Sequence, residues 1–140
     1  MLTVKQLMTM DPDTVTPTTT LHQVIATMNK DGCRQLPVVE QGKLVGIITD
    51  RDVRLAVSSP ALEDKHLKHH AERARLLDEL TAASCMASDP ITVTPDRPAR
   101  EAADILSIHK FGALPVVENG VLVGIVTVTD FLKYMAAHGV

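Results

Sequence analysis

The sequence predicts a mixed α/β (α+β) protein built from two copies of a strand-helix-strand-strand-helix unit. Residues 8–57 align with residues 86–135 at a constant offset of 78, without a gap, and 19 of the 50 pairs are identical. Each copy also shows helical apolar periodicity followed by two apolar runs around a turn signal. Two such units can pack about a pseudo-twofold axis, and any cleft between them would then be built twice from equivalent residues.

The first helix of each copy is predicted from an apolar stripe at helical spacing. In the first copy the stripe is Leu21, Val24, Ile25 and Met28. Thr20 and Gln23 suit a capping box at its start, and Asp31-Gly32 suits its end. In the second copy Pro98 suits the first helical position, and the stripe has the smaller residues Ala99, Ala102, Ala103 and Leu106.

A β-hairpin and a second helix follow in each copy. Gln41-Gly42 and Asn119-Gly120 separate apolar runs, and a type I′ turn needs positive φ at both central residues. The runs 44–48 and 122–126 are almost continuously apolar, which is typical of strands covered on both faces. The second helices are expected to start after Thr49 and Thr127.

The 140-residue length fits one compact tandem module, because a single 50-residue copy would bury little surface. We divide the chain into unit 1–57, connector 58–84 and unit 85–140. In the connector, Leu76, Leu77 and Leu80 suggest a helix with a narrow apolar edge. It is either a solvated linker or an added helix that packs on a partner or covers a cleft.

Composition excludes several classes of function. A net charge of −3 and three aromatic residues give no basic face or stacking platform for nucleic acid. No stretch approaches the ~20 apolar residues that span a bilayer, and no signal peptide is visible, so we expect a cytoplasmic protein. Cys33 and Cys85 form no CxxC pair, and Cys33 is expected to be a small buried hydrophobe.

The recurring Thr-x-x-Asp at the strand-to-helix junctions is the main candidate for chemistry. A helix N-terminus with free N–H groups favours phosphate, and the hydroxyl of Thr49 or Thr127 can donate to it. Asp52 and Asp130 carry only acceptors and suit the diol of a ribose. The structural alternative is a capping box, and the two roles are compatible. Arg51 aligns with Thr129 of the second copy. Because a guanidinium can make a bidentate, charge-assisted contact with phosphate, we expect the Thr49–Asp52 motif to bind phosphate more strongly than the Thr127–Asp130 motif.

The paired motifs resemble the cystathionine-β-synthase (CBS) domain, here as the tandem pair called a Bateman module. The resemblance covers about 100 residues. It rests on two aligned blocks in each copy, 36–39 with 46–52 and 114–117 with 124–130. It implies two β-α-β-β-α units packed through their sheets, usually homodimerised. It also implies adenosine-containing ligands (AMP, ADP, ATP or S-adenosylmethionine) in the clefts between units, and regulation of a protein partner that the sequence does not identify.

The resemblance also implies which residues form each cleft. One cleft would draw on Asp13, Thr14, Cys33, Arg34 and Gln35 with Thr127 and Asp130. The other would draw on Ile91, Thr92, Phe111, Gly112 and Ala113 with Thr49, Arg51 and Asp52. Because Gly112 and Ala113 leave more room than Arg34 and Gln35, the two clefts are not expected to be equivalent.

Enzymatic chemistry has little support in the sequence. There is no nucleophile-base-acid set and no glycine-rich phosphate loop, so we expect a non-catalytic ligand sensor without a cofactor. A weak nucleotide hydrolase and a structural dimerisation module with empty clefts are the alternatives. His66 and His70 could bind zinc on a helix, but no further ligand completes a set, and we expect no metal site.

Overall fold

The computed structural model describes residues 1–58 and 66–139, with the backbone alone for residues 66–70. The helices are α1 (Val4–Leu7), α2 (Leu21–Asp31), α3 (Asp50–Val57), α4 (His66–Glu79), α5 (Ala82–Cys85), α6 (Ala99–His109) and α7 (Val128–His138). The strands are β1 (Thr9–Met10), β2 (Gln35–Glu40), β3 (Lys43–Thr49), β4 (Ala87–Ser88), β5 (Ala113–Glu118) and β6 (Val121–Thr127). This mixture of helices and antiparallel strands confirms the predicted fold class.

The chain forms two compact units. The first-repeat unit comprises Asp13–Gln41 and Val45–Ser88, and the second-repeat unit comprises Met1–Pro12, Gly42–Leu44 and Asp89–Val140. The units therefore do not coincide with the sequence segments 1–57 and 85–140. The first twelve residues belong with the second repeat, because β1 pairs antiparallel with β6 through Thr9 and Ile125.

The first-repeat unit is a three-stranded sheet with its helices. β3 pairs with β2 and with β4, and Ile47 lies opposite Ala87 in the antiparallel β3–β4 pair. Its core contains Leu21, Val24, Leu36, Val38, Ile48 and Ala82, each at most 2% exposed. Burying an aliphatic side chain of this size contributes about 1.5–3 kcal/mol, so this cluster is what holds α2 on the sheet.

The second-repeat unit follows the same plan. β6 pairs with β5 along its length and with β1 at Thr9–Met10. Its core contains Val4, Ala102, Leu114, Val116 and Val126, each at most 1% exposed. Val4 and Ala82 are equivalent at the offset of 78, and both are fully buried. The structural repeat therefore extends upstream of the sequence alignment, to α1 and α5, which the sequence did not predict.

Two glycines are explained by these pairings. A Cβ on Gly46 would lie 2.9 Å from the carbonyl oxygen of Ala87, and one on Gly124 would lie 2.9 Å from that of Thr9. The same added Cβ would lie 2.5 Å from Met86 Sδ at Gly46 and 2.6 Å from Met8 Sδ at Gly124. Glycine is therefore required in the central strand of each unit so that the short third strand can approach.

The predicted helix ends and turns are largely confirmed. Thr20 and Gln23 form the expected capping box of α2, and Gly32 ends α2 in the left-handed conformation at φ 64°. In both hairpins the two turn residues have positive φ, as a type I′ turn requires. The start of α6 was predicted one residue too early. Pro98 was expected at the first helical position, but it is the N-cap, with extended ψ 133°, and the helix begins at Ala99.

The connector contains a helix that packs on its own unit. α4 contacts α2 and α3, and Leu76, Leu77 and Leu80 pack against the core of the first-repeat unit. The expected apolar edge is confirmed. The solvated-linker interpretation is wrong, because these leucines are partly buried by the neighbouring helices.

Candidate functional site

Each Thr-x-x-Asp motif forms a reciprocal capping box at a strand-to-helix junction. The Thr49 N–H donates to Asp52 Oδ2 at 2.9 Å, and the Asp52 N–H donates to Thr49 Oγ1 at 3.1 Å. In the second-repeat unit the same bonds join Thr127 and Asp130 at 2.8 and 3.2 Å. The structural interpretation is thus confirmed, with aspartate replacing the more usual glutamate or glutamine.

The capping bonds leave part of each motif available to a ligand. Each threonine oxygen accepts one bond and retains its hydroxyl proton as a donor. Each aspartate uses Oδ2, and no partner of Oδ1 is found among the residues that the structure describes. All four side chains are partly buried rather than fully enclosed. One donor and one carboxylate acceptor therefore remain at each junction, which is the chemistry predicted for a sugar-phosphate.

The expectation of free backbone N–H groups at these helix starts is wrong for two of the first three. The Asp50 N–H donates to the Arg34 carbonyl at 2.9 Å, and the Val128 N–H donates to the Gly112 carbonyl at 3.0 Å. The third N–H of each helix is occupied by the capping threonine. A phosphate at the junction would consequently depend on side chains more than on the backbone.

The first-repeat unit brings its predicted half-site together around β2. Asp13, Thr14 and Arg34 are exposed, while Cys33 and Gln35 are half-buried. The protonated Asp31 carboxyl donates a hydrogen bond to the Asp13 carboxylate, and this bond raises the pKa of the exposed Asp31. Asp31 was not predicted as part of this region, because only the fold places it beside Asp13. The half-site therefore combines Arg34 with two carboxylates. Burial and the nearby Asp31 also raise the pKa of the Cys33 thiol.

The second-repeat unit has a more apolar half-site at the equivalent positions. Ile91 and Phe111 are each 40% exposed, which is high for side chains of this size. The His109 ring stacks on Phe111 with centroids 5.0 Å apart and 13° between planes. Thr92 and Gly112 are exposed. Ala113 is buried at 5%, so its side chain belongs to the core. Exposed aliphatic and aromatic side chains of this kind are suited to contact with a planar base.

The two junctions differ in charge. Asp50-Arg51 in the first-repeat unit is replaced by Val128-Thr129 in the second. Arg51 is exposed at the second position of α3. Arg54 lies one turn further on, with Nη2 4.0 Å from Asp50 Oδ2. The predicted asymmetry of the motifs is therefore present in the fold, with guanidinium groups at only one junction.

Neither a metal-binding cluster nor a membrane-spanning helix is found in the described part of the chain. Within residues 1–58 and 71–139, whose side chains the structure describes, no group of three His, Cys, Asp or Glu side chains could hold a metal ion. The side chains of His66 and His70 lie outside the described residues. In the same part of the chain, no helix is both long enough and apolar enough to cross a membrane.

Comparison with known proteins identifies the repeat. The family model for the CBS domain matches twice, at residues 4–59 and 82–137. The chain belongs to the CBS domain family. It is a tandem CBS pair, and the matched ranges begin at α1 and α5, the two short helices that are absent from the sequence prediction.

Relatives with this arrangement occur in distant organisms. A CBS domain-containing protein of Dictyostelium discoideum is 39% identical over 134 residues, covering 94% of this chain and 90% of that protein. The uncharacterized protein MJ1225 of Methanocaldococcus jannaschii is 36% identical over 130 residues, covering 91% of this chain. The chain spans only 45% of MJ1225.

Two similar solved structures contain adenosine compounds. CBSX2, a CBS-pair protein of Arabidopsis thaliana, was crystallised with AMP; it is 25% identical, has a TM-score of 0.81, and covers 98% of each chain. The CBS domain pair of protein MJ0100 was crystallised with 5-methylthioadenosine and S-adenosyl-L-methionine. It is 26% identical with a TM-score of 0.77, covering 96% of this chain and 99% of that one.

Proposed function

We propose that this CBS pair is a non-catalytic regulatory module that binds an adenosine-containing ligand. The single observation that carries the proposal is the spare hydroxyl proton and carboxylate oxygen left by each capping box. A vicinal diol presents two donors, which a carboxylate oxygen can accept. The AMP and S-adenosylmethionine complexes of similar CBS pairs support the same ligand class.

The ligand would use the Thr-x-x-Asp motifs and the half-sites described above. In the first-repeat unit, Thr49, Arg51 and Asp52 form a junction that carries guanidinium charge, which suits phosphate. In the second-repeat unit, Ile91 and Phe111 expose apolar surface, which suits adenine. Binding would signal by favouring one orientation of the repeats or protomers, to the extent that the ligand's affinity differs between orientations.

Asparagine and alanine variants separate the capping role from the ligand role. In Asp52→Asn and Asp130→Asn the amide oxygen can still accept from the threonine N–H, but the spare carboxylate oxygen becomes an N–H₂ donor. We expect the melting temperature to stay close to wild type, because the box is retained. Affinity for AMP should fall by about 10-fold or more, since a lost bond to a charged group costs about 1.5–3 kcal/mol.

The measurement is calorimetric titration of AMP, ADP, ATP, S-adenosylmethionine and adenosine into wild type and both asparagine variants. Asp52→Ala and Asp130→Ala serve as comparison, because they lose the cap as well and should also melt earlier. Unchanged affinity in both asparagine variants would remove the diol role. Failure of every ligand to bind would instead favour a structural module with empty clefts.

Absence of catalysis is part of the proposal and is tested separately. Purified protein should release no phosphate from ATP above a buffer control over several hours. Turnover that is abolished in Asp52→Asn would establish the hydrolase alternative, since a contaminating enzyme would be insensitive to that substitution.

We further propose that the protein is a homodimer. The helices of the second-repeat unit leave large apolar side chains exposed, including Leu132 at 59% and Met135 at 44% on α7. Beside them an apolar cavity of about 380 Å³ is lined by Ala103, Phe131 and Tyr134, among others. A second copy would cover this face in a twofold arrangement. Light scattering should give twice the 15.2 kDa chain mass, and Leu132→Glu should reduce it to one chain.

A further inference from the structure

A second cavity lies within the first-repeat unit, on the side of the connector helix. It has a volume of about 450 Å³ and is open to solvent. It is bounded by the C-terminal half of α2, by the segment that leads into β2, by the start of α3 and by α4. This volume falls within the range of small-molecule sites, about 300–1,000 Å³.

Three arginines from three different elements line this cavity: Arg34 before β2, Arg54 on α3 and Arg73 on α4. Asp50 is the one carboxylate among the lining residues, and it lies 4.0 Å from Arg54. The described lining residues thus carry three guanidiniums and one carboxylate, an excess of two positive charges. Asn29 adds an amide that can donate or accept.

Two arginines outside the cavity are paired with carboxylates. Arg75, two residues from Arg73 on the same helix, pairs with both Glu72 and Glu79. Arg97 pairs with Glu101 at 3.1 Å. Within the described part of the chain, no ion pair is found for Arg34 or Arg73. Among the described residues of this unit, Arg34, Arg51 and Arg73 are the arginines for which no ion pair is found, and two of these three line the cavity.

The cavity has an apolar floor. Met28 and Val53 line it and are 5% and 4% exposed. Apolar side chains cannot neutralise the charge of a ligand. The guanidinium groups at the edge of the cavity would therefore bind any charged part of it. Each guanidinium presents a planar fork of donors that matches two oxygens of a phosphate group. Forks from several directions suit a chain of phosphates better than a single carboxylate.

The charged side chains of this cavity are not repeated in the second-repeat unit. At the offset of 78, Arg34 corresponds to Gly112, Asp50 to Val128 and Arg54 to Leu132. The charged cavity is therefore distinct from the repeated Thr-x-x-Asp chemistry. It uses the connector helix, which is not part of either segment matched to the CBS domain.

We propose that this cavity binds the oligophosphate group of a small anion, with Arg34, Arg54 and Arg73 as the recognising side chains. The oligophosphate is either free or the phosphate chain of a nucleotide. Binding would tie the connector helix to the start of α3. Arg34 is shared with the half-site of the proposed adenosyl function, whereas Arg54 and Arg73 are not, so Arg73 separates the two proposals.

The test is calorimetric titration of sodium tripolyphosphate into wild type, Arg73→Gln and Arg75→Gln at low ionic strength. Arg73→Gln should weaken binding by about threefold to fivefold, the value of an exposed charge pair, and Arg34→Gln combined with Arg73→Gln by about tenfold or more. Arg75→Gln removes the same charge from the same helix outside the cavity, and should change affinity by less than about twofold.

A variant of opposite sign guards against effects of misfolding. Asp50→Asn removes the carboxylate that repels the ligand and should tighten binding by about twofold to fivefold. Damage to the fold would weaken binding in both Arg73→Gln and Asp50→Asn. Melting temperatures of all variants establish that each is folded under the titration conditions.

Competition distinguishes the two sources of the oligophosphate. If ATP displaces tripolyphosphate and adenosine does not, the phosphate chain of a nucleotide is recognised. If neither displaces it, the site takes free oligophosphate, and both results support the cavity. The proposal is overturned by no binding at millimolar tripolyphosphate, by equal losses in Arg73→Gln and Arg75→Gln, or by a loss in Arg51→Gln alone. Adenosine binding that is sensitive to Asp52→Asn but not to Arg73→Gln reports the adenosyl function separately.

Discussion

Replacing Gly46 or Gly124 by alanine tests the role of the third strand in each unit. The added Cβ would lie 2.9 Å from a backbone carbonyl oxygen in both cases, whereas ordinary contact begins at 3.4 Å. The third strand must therefore move by about 0.5 Å, and its two-residue pairing leaves few bonds to hold it. Overpacking of this kind costs about 1–3 kcal/mol. For a chain of this size that corresponds to roughly 3–9 °C in melting temperature.

The two units provide an internal replicate of this experiment. The distances at Gly46 and Gly124 agree within 0.1 Å, so the two substitutions should cost similar free energies of unfolding. Met86→Ala added to Gly46→Ala removes the sulfur contact at 2.5 Å but leaves the carbonyl contact. A double-mutant cycle measured by urea unfolding compares the two single variants with the double variant. The double variant should lose less free energy of unfolding than the sum of the two single losses. Gly46→Ala should nevertheless remain destabilising in the Met86→Ala background, because the carbonyl contact persists. Wild-type stability in either alanine variant would refute the reasoning.

Three further predictions concern single side chains. Arg51→Ala should weaken ATP more than adenosine in calorimetry, because the guanidinium interacts with phosphate; equal losses would refute this role. Lys110→Gly should raise the free energy of unfolding by about 0.5–1 kcal/mol in urea unfolding. Lys110 ends α6 in the left-handed conformation at φ 57°, at the position where glycine (Gly32) ends α2. No gain would mean that lysine adopts this conformation without strain. Burial and the Asp52 charge raise the pKa of Cys85, so its alkylation should be slow near neutrality, accelerate with rising pH, and be faster in Asp52→Asn.

The features that the sequence predicted are those with local chemical causes. The capping box at Thr20, the left-handed Gly32 and the positive φ of both hairpin turns follow from residue types within four positions of each other. The Thr-x-x-Asp junctions belong to the same class, since Thr49 and Asp52 recognise each other across one helical turn. Such signals depend little on the rest of the fold.

The features that the sequence did not predict depend on distant partners. The sequence predicted a first strand in each copy, but not that β1 and β4 would be only two residues long or that they would pair with β6 and β3. The bonds from Asp50 to Arg34 and from Val128 to Gly112 also join residues 16 positions apart. These contacts removed the free N–H groups on which the predicted phosphate site relied. Arg73 lies in the connector, outside the aligned repeats, so comparison of the two copies gave no reason to select it.

The composition of the compact units makes a last prediction about fragments. A fragment of residues 1–57 holds one sequence repeat, but it lacks α5 and β4, and with them the fully buried Ala82. It also lacks the leucines of α4 that pack on the same core. Residues 13–88 retain β2, β3 and β4 together with that core. Fragment 13–88 should therefore unfold cooperatively in urea, followed by circular dichroism, whereas fragment 1–57 should not. Equal cooperativity in both fragments would mean that the segment following the repeat is dispensable, and that each sequence repeat is its own folding unit after all.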